Sequence, residues 1–352
     1  VIATMNHPGP ARHGHGRTTV RALATFAPGQ PLEPWLYEAG ALNAAELELT
    51  VSHCGVCHND VHLIDNDFGL SRYPLVPGHE VIGTISAIGR EVAGSTVGQR
   101  VGVSWQHSMC MQCDSCRTGL EHLCTSSRPA LLGGFGGFAQ CMRVDHRFAV
   151  PIPDALDSAT AAPLLCGGIT LYLPMSRLVR PAARVGVIGI GGLGHLALQF
   201  ARAMGAEVYA FSNSAGKRDE AHGFGAHHFV ESNDPAQMQR IAGSLDLLVT
   251  TSNVNLHWGA WLATLRKNGT FLLPAGPVDL PVLPMVFGQF SFTGSVIGTP
   301  RTIAEMLRFA ALHDVRAAVE VLPMDQANLA LDKVRRNQAR YRMVLENLET
   351  EV

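Results

Sequence analysis

Hydrophobic and polar positions follow two different rhythms along the chain. From Arg21 to about Pro153, Gly or Pro interrupts the sequence every few residues. Short β-branched runs fill the gaps, among them Glu48–Ser52, Val81–Ile88 and Arg100–Trp105. That texture predicts an all-β, loop-rich region. The rhythm changes near Ser158. A helical stretch leads to Arg184–Ile190 (RVGVIGI), a short buried strand by its β-branched content, and then to a glycine-rich turn. Leu193–Met204 has helical spacing and stops at Gly205, Glu207–Ser212 reads as the next strand, and Asp219–Gly223 starts another helix. Ser244–Thr250 is a further strand. Strand alternating with helix predicts a doubly wound parallel sheet that runs to about Thr299. Beyond it, Thr302–His313 forms an amphipathic helix and Met324–Asn337 a second helical stretch. No internal repeat is visible.

Composition narrows the class. At 352 residues the chain has room for about two domains. With 47% hydrophobic and 16% charged residues it can build a substantial core, which excludes global disorder. Twenty-seven basic against 29 acidic residues leave no cationic surplus for a polyanion, so a nucleic-acid or polybasic membrane role is disfavoured. No apolar run reaches the ~18 residues of a membrane span, and the N-terminus lacks a signal-peptide pattern. Residues 1–20, rich in His, Pro and Gly, read as a flexible leader; His13 and His15 in it invite only stray metal. Eight Cys and sixteen His are the unusual counts. Clustered cysteines in a cytoplasmic chain point to metal rather than to disulfides.

Three groups of residues carry chemistry. Gly189-Ile190-Gly191-Gly192-Leu193-Gly194 satisfies G-x-G-x-x-G, follows an apolar strand and opens a helix, as a dinucleotide site requires. Its glycines allow close approach of a pyrophosphate, and the helix start offers free N–H groups. The strand after it ends in Phe211-Ser212-Asn213 and is followed by Lys217-Arg218. No acid stands there to bind a ribose 2′-hydroxyl, while two hydroxyls, an amide and two cations can receive a 2′-phosphate, so NADP(H) is expected over NAD(H). Next, Cys110, Cys113, Cys116 and Cys124 lie within fifteen residues and can close one tetrahedral zinc site, leaving no position for substrate. The third group is scattered: Cys57-His58-Asn59-Asp60, His79-Glu80 and Cys166 through Thr170. Two Cys and one His would suit a catalytic zinc with an open fourth position. Spacing leaves Cys54 and Cys57 equal candidates here.

Together, GVCHND, DNDFGLSRYPLVPGHEVIG, the four-cysteine loop, PLLCGGIT, RVGVIGIGGLGH, GSVIGTP and ARYRMVL resemble the zinc-dependent medium-chain alcohol dehydrogenases. Within them the cinnamyl-alcohol-dehydrogenase-like branch is the nearest, and within that the bacterial NADPH-dependent aldehyde reductases of broad range. The resemblance covers nearly everything from Arg21 onward. It implies a GroES-like, mainly β catalytic domain (21–160 and 300–352) and a Rossmann dinucleotide domain (161–299). It implies Cys57, His79 and Cys166 as catalytic zinc ligands, with Cys54 and Cys141 left to packing. It places Glu80 near the metal, Asp60 behind His79, His58 by the pyrophosphate, and Thr170 by the nicotinamide. Further cofactor contacts are implied at Thr251, Gly276, Ser295 and Ile297. Phe68 and Trp105 become walls of the substrate pocket, Trp105 having core packing as its rival role. Asn59 stands where the family has a Ser or Thr that passes a proton toward an outer His, here His62. An amide can hydrogen-bond an oxygen but does not readily relay a proton, so a water or Asp60-assisted path is the expected substitute. The implied activity is reversible hydride transfer between NADP(H) and aldehydes or primary alcohols, in a homodimer holding two zinc ions per chain. Dimerisation is expected beside Pro274–Val286. The rivals are a quinone or enone reductase with structural zinc alone, and a non-enzymatic zinc-ribbon module.

Overall fold

The computed structural model describes residues 19–129, 135–252, 256–274 and 279–347. Thr19 and Val20 already belong to the first strand, Thr19–Ala24; the rest of the expected leader, and Gly276, lie outside the described residues.

Two sheets organise the molecule. One is wholly parallel and six-stranded, in the order His228–Glu231, Glu207–Ser212, Arg184–Ile188, Leu245–Thr250, Leu265–Leu273, Ser291–Gly294. The strand order reverses between Arg184–Ile188 and its neighbour Leu245–Thr250, and a doubly wound sheet opens its ligand crevice at such a point. RVGVIGI is cut two residues short of the expected strand, because Gly189 takes φ +86° and turns the chain. The turn is then pinned: Thr251, just past the neighbouring strand, donates its hydroxyl to the carbonyls of Ile188 and Gly189 at 2.9 Å each. Gly194 opens the helix Gly194–Ala203 so close to this turn that a Cβ there would stand 1.9 Å from the Gly189 oxygen.

The other sheet has seven strands, mostly antiparallel. Its order is Val319–Pro323, Arg342–Glu346, Glu46–Val56, Glu80–Ile88, Arg100–Val103, Ala149–Pro151, with Cys141–Asp145 also pairing to Glu46–Val56. The all-β expectation for the first half misses the helix His58–Asp65. This helix starts inside GVCHND because Cys57 and Asp60 form a reciprocal cap, a local signal that a search for Ser or Thr caps overlooks. The last strands come from the C-terminal end of the chain, so the second sheet clasps the first from both sides in sequence.

Between the sheets runs an apolar helical pair, Ser158–Leu165 and Gly167–Leu178, bent by 61° at Cys166. Leu164, Leu165, Ile169 and Leu171 are fully buried in a core shared with Ile82 of one sheet and Val185 and Val187 of the other. Among the described residues no single helix is long and apolar enough to cross a membrane. The amphipathic helix begins at Pro300, two residues earlier than expected, because Thr299 caps it by accepting from the Thr302 N–H. Such a cap contributes about 1 kcal/mol.

His195, on the first turn of the helix after the glycines, links the two halves. Its Nδ1 bonds the Gly191 carbonyl at 3.0 Å, its Nε2 accepts from the Ala318 N–H at 3.1 Å, and its ring stacks on Tyr341. Accepting at Nε2 requires the neutral imidazole, and burial lowers its pKa to about 4. The folded state therefore excludes the proton that the unfolded chain takes up near pH 6.5. The stabilisation is fully present above that pH and is lost as pH falls toward 4, a change of about 3 kcal/mol. We expect urea titrations to show this extra acid sensitivity in the wild type and not in His195→Gln, whose amide does not titrate. Parallel pH profiles for the two proteins would contradict the assignment.

Candidate active site

The carboxylate of Asp60 is fully buried and fully used. One oxygen accepts the Cys57 N–H at 2.8 Å; the other accepts the Gly78 N–H at 3.0 Å and bonds His79 Nδ1 at 2.9 Å. This single group fixes the start of the helix His58–Asp65, the turn before the strand Glu80–Ile88, and the orientation of an imidazole. Gly78 has φ +100°, and a Cβ there would strike Phe138 and Cys54, so the approach to His79 requires glycine. With Nδ1 engaged, His79 Nε2 is buried and meets no hydrogen-bond partner among the described residues.

That bare nitrogen points into a cluster. The ligand atoms of Cys57, His79, Glu80 and Cys166 all lie within 4.8 Å of one another, and the Cys57 and Cys166 sulfurs are 3.9 Å apart. The hydrogen bond from the Cys166 thiol, aided by His79 and against the effect of burial, holds Cys57 well below the usual thiol range. Cys166 is pushed correspondingly up. Burial lifts Glu80 to about 7, with the guanidinium of Arg342 pulling the other way. One Glu80 oxygen takes a short hydrogen bond from Arg342 Nη2, and the other has no partner among the described residues. Two sulfurs, an unsatisfied imidazole nitrogen and a spare carboxylate oxygen in a dry pocket are the donor set of a zinc ion. Cys54 stays out of the cluster, packed in the core beside Gly78.

A second group fits zinc with four sulfurs and nothing else. Cys110, Cys113, Cys116 and Cys124 also converge within 4.8 Å, with Cys124 to Cys110 at 3.5 Å and Cys110 to Cys116 at 3.9 Å. Backbone N–H groups of Gln112 and Cys113 lower Cys110 to about 6, as a thiolate ligand needs, whereas burial raises Cys116 to about 12. All eight cysteines are free of disulfides.

The first cluster forms the floor of a cavity of about 1040 Å³ between the two sheets. Cys57, Cys166, Asn59 and Thr170 line its deep end, and Trp105, which crosses the His79 ring edge-on at 5.1 Å, lines it while also packing on both cores. Trp105 thus packs against the cores and also lines the cavity. Phe68 and His62 stand together at the wall with His58 beside them, and His62 bonds Asp67 at 2.7 Å. Gly191, Gly192, Leu193 and Thr251 form the opposite wall, while Gly189, Ile190 and Gly194 build the turn beneath it. Ser295 and Ile297 line the cavity too, the Ser295 hydroxyl donating to the Thr170 carbonyl. Gly191 has open space where a Cβ would be, so its backbone is free to meet a phosphate.

The expected 2′-phosphate group divides. Lys217 lines the cavity, its ammonium 2.6 Å from the Ile190 carbonyl. Ser212 and Asn213 are not among the residues that line the cavity, and the Ser212 hydroxyl accepts the Ser214 N–H. Arg218 turns away to pair with Glu231 and to cover the Phe229 ring. Sequence reasoning passed over Arg342, which joins Glu80 to the glycine turn: a Cβ on Gly192 would stand 3.1 Å from its side chain. ARYRMVL had been noted as a motif, but nothing local in it says which arginine goes inward.

Comparison with known proteins agrees with this geometry. Residues 43–154 match the alcohol dehydrogenase GroES-like domain and residues 192–311 the zinc-binding dehydrogenase domain. The chain is 43% identical over 330 residues to an aldehyde reductase of Synechocystis sp., covering 93% of this chain and 98% of that one. It is 36% identical over 344 residues to an NADP-dependent alcohol dehydrogenase of Mycolicibacterium smegmatis, covering 94% and 98% respectively. A cinnamyl alcohol dehydrogenase from Sorghum bicolor superposes with a TM-score of 0.90 at 35% identity, over 95% of this chain and all of that one. With a parallel nucleotide-type sheet, a GroES-like partner domain and two convergent donor clusters, the chain belongs to the zinc-binding medium-chain alcohol dehydrogenases, a family of alcohol and aldehyde oxidoreductases.

Proposed function

We propose that the protein is an NADP(H)-dependent aldehyde reductase and alcohol dehydrogenase. Zinc is held by Cys57, His79 and Cys166 for catalysis and by Cys110, Cys113, Cys116 and Cys124 for structure. The observation that carries this reading is the unsatisfied His79 Nε2 aimed between two thiols on the floor of a cavity whose other wall is a glycine turn. When bound, the zinc polarises a carbonyl and steadies negative charge on its oxygen, and the nicotinamide carries the hydride.

The chain's own groups do the rest. Asp60 holds His79 in the tautomer that leaves Nε2 free. Thr170 and Ser295 define the wall against which a nicotinamide lies, and the glycine turn takes the pyrophosphate, with His58 near it. Phe68 and Trp105 shield the reacting carbon from water and offer flat apolar surface. That surface suits aromatic, cinnamyl or longer aliphatic aldehydes, and the pocket gives no reason to choose among these. Asn59 reaches the substrate oxygen as a hydrogen-bond partner, and His62, backed by Asp67, stands outside it as the proton's exit. Because an amide does not shuttle a proton, the proton would pass from the substrate oxygen to His62 through water, with Asn59 only hydrogen-bonding that oxygen. Glu80, drawn toward neutrality by burial and away from it by Arg342, is the spare ligand during exchange at the metal.

The surface supports a homodimer. Val282, Leu283, Val286 and Phe287 are each more than 60% exposed beside the strand Ser291–Gly294, which is an edge of the parallel sheet. These apolar side chains belong to the helix Val282–Gly288, and beside a sheet edge that is unpaired among the described residues they favour a second copy. Eight unpaired cysteines suit the cytoplasm.

Native mass spectrometry reads stoichiometry directly: we expect two subunits carrying four zinc ions, falling to two in Cys57→Ser. The same substitution should reduce kcat/KM for an aromatic aldehyde at least about a thousandfold, the loss of several kcal/mol of charge stabilisation. One zinc per chain in the wild type would favour the quinone or enone reductase instead. For the cofactor, Ser212→Asp combined with Lys217→Ala should shift the NADPH to NADH ratio of kcat/KM by about tenfold or more toward NADH. An unchanged ratio would reject the 2′-phosphate site. Asn59→Thr restores a hydroxyl at the relay position, and we expect kcat to rise and its solvent isotope effect to change. Identical values for both proteins would remove Asn59 from the proton path.

A further inference from the structure

Arg340 and Tyr341 reach across the mouth of the cavity from the end of the chain to Glu220, on the helix Arg218–Gly223 that follows Lys217. Arg340 Nη2 pairs with one Glu220 oxygen and the Tyr341 hydroxyl donates to the other, both contacts short. Tyr341 is itself locked, 92% buried, stacked on His195 at 5.1 Å, and lying 5.8 Å beneath the Lys217 ammonium. Glu220 is therefore held in place beside Lys217 by two groups from the other half of the molecule. The charges of Glu220 and of Arg340 both reach Lys217. An unopposed carboxylate here would cancel Lys217 and repel a phosphate that carries about two negative charges. Arg218, the neighbour in sequence, is spent on Glu231 and does not make up the deficit.

We infer that Arg340 is a specificity-determining residue for the 2′-phosphate: by neutralising Glu220 it keeps the ribose end of the cavity cationic, leaving Lys217 free to act. The inference rests on the NADP(H) reading above. It assigns Arg340 an electrostatic role through Glu220, distinct from direct contact with the ligand.

Adenosine 2′,5′-bisphosphate and 5′-AMP, titrated calorimetrically into the full-length protein, isolate the 2′-phosphate without turnover. Arg340→Gln should weaken the bisphosphate about tenfold, the effect of one unit charge at partly screened range on a dianion, with AMP changed less than about twofold. Arg340→Lys should bind like the wild type. Adding Glu220→Gln to Arg340→Gln removes the uncancelled carboxylate and should recover most of the lost affinity. The loss should also shrink at high salt. A double variant as weak as Arg340→Gln would overturn the neutralisation and mark Arg340 as a direct contact. Undiminished bisphosphate binding in Arg340→Gln, with Lys217→Ala weakened, would overturn the inference while leaving the NADP(H) reading intact. A wild type that binds both ligands equally would overturn the two together. Because Arg340 is exposed, the variants should keep the wild-type circular dichroism and melting midpoint.

Discussion

A buried carboxylate with all its hydrogen bonds made is the constraint from which the reactive end of this molecule follows. Asp60 has no contact with solvent, and an ionised carboxyl in such a place is tolerable only when several donors face it. Here those donors are two backbone N–H groups and an imidazole from two separate segments of the chain. Satisfying Asp60 therefore brings Cys57 to His79 and frees the outer nitrogen of the ring. Cys166, at the bend between two apolar helices, arrives from a third segment through packing and through the Ser104 hydroxyl, which donates to the Leu165 carbonyl at 2.5 Å. Glu80 follows His79 directly and so falls into the same pocket. The polar groups of this cluster are thus arranged around one charge, with the His79 Nε2 facing two thiols and a carboxylate.

The two halves of the protein are coupled through the C-terminal strand. Arg342–Glu346 joins the seven-stranded sheet, yet Arg342 lies against Gly192 of the other half's glycine turn and grips Glu80. Its guanidinium is buried, so pairing with Glu80 is what makes its place in the cleft affordable. His195 and Tyr341 stack just above it. Relative movement of the halves would accordingly disturb a short stretch of chain in which three consecutive residues each touch the opposite side, together with the His195–Ala318 bond.

What could be read from the amino-acid order and what could not differ in range. The glycine turn, the strand before it and the helix after it are legible because the conformations they demand are demanded within six residues. The four-cysteine loop is legible because its ligands fall within fifteen residues. Cys57 could not be separated from Cys54 by spacing, since the choice is made by Asp60 and by the strand pairing that buries Cys54. The Lys217–Arg218 pair looked like one cationic patch, but adjacent residues at the start of a helix face different ways, and only Lys217 faces the cavity. Arg340, more than a hundred residues away in the chain, pairs with Glu220 on the helix that follows Lys217. No local pattern reports a partnership of that kind. The helix His58–Asp65 was missed for a subtler reason: its cap is a cysteine and an aspartate whose other duties belong to the site.

The two ends of the cavity differ in chemistry, and on the proposed function this difference orients a dinucleotide. Its floor gathers the thiols of Cys57 and Cys166, with Glu80 buried behind them and paired to Arg342, which also lines the cavity. Its far end offers glycine N–H groups, a helix start and an ammonium beside a neutralised carboxylate. A dinucleotide carries its negative charge at the pyrophosphate and on the adenosine side, and its redox ring bears none of it. On the proposed function it lies with the ring toward the sulfurs and the phosphates toward the glycine turn. The aromatic walls then act only on what remains, the small space between ring and floor. On the proposed function, selectivity for the cofactor and tolerance toward the substrate are built from different forces. Charge decides the first over the length of the cleft, while the second rests on apolar contact with Phe68 and Trp105, which distinguishes shapes only weakly.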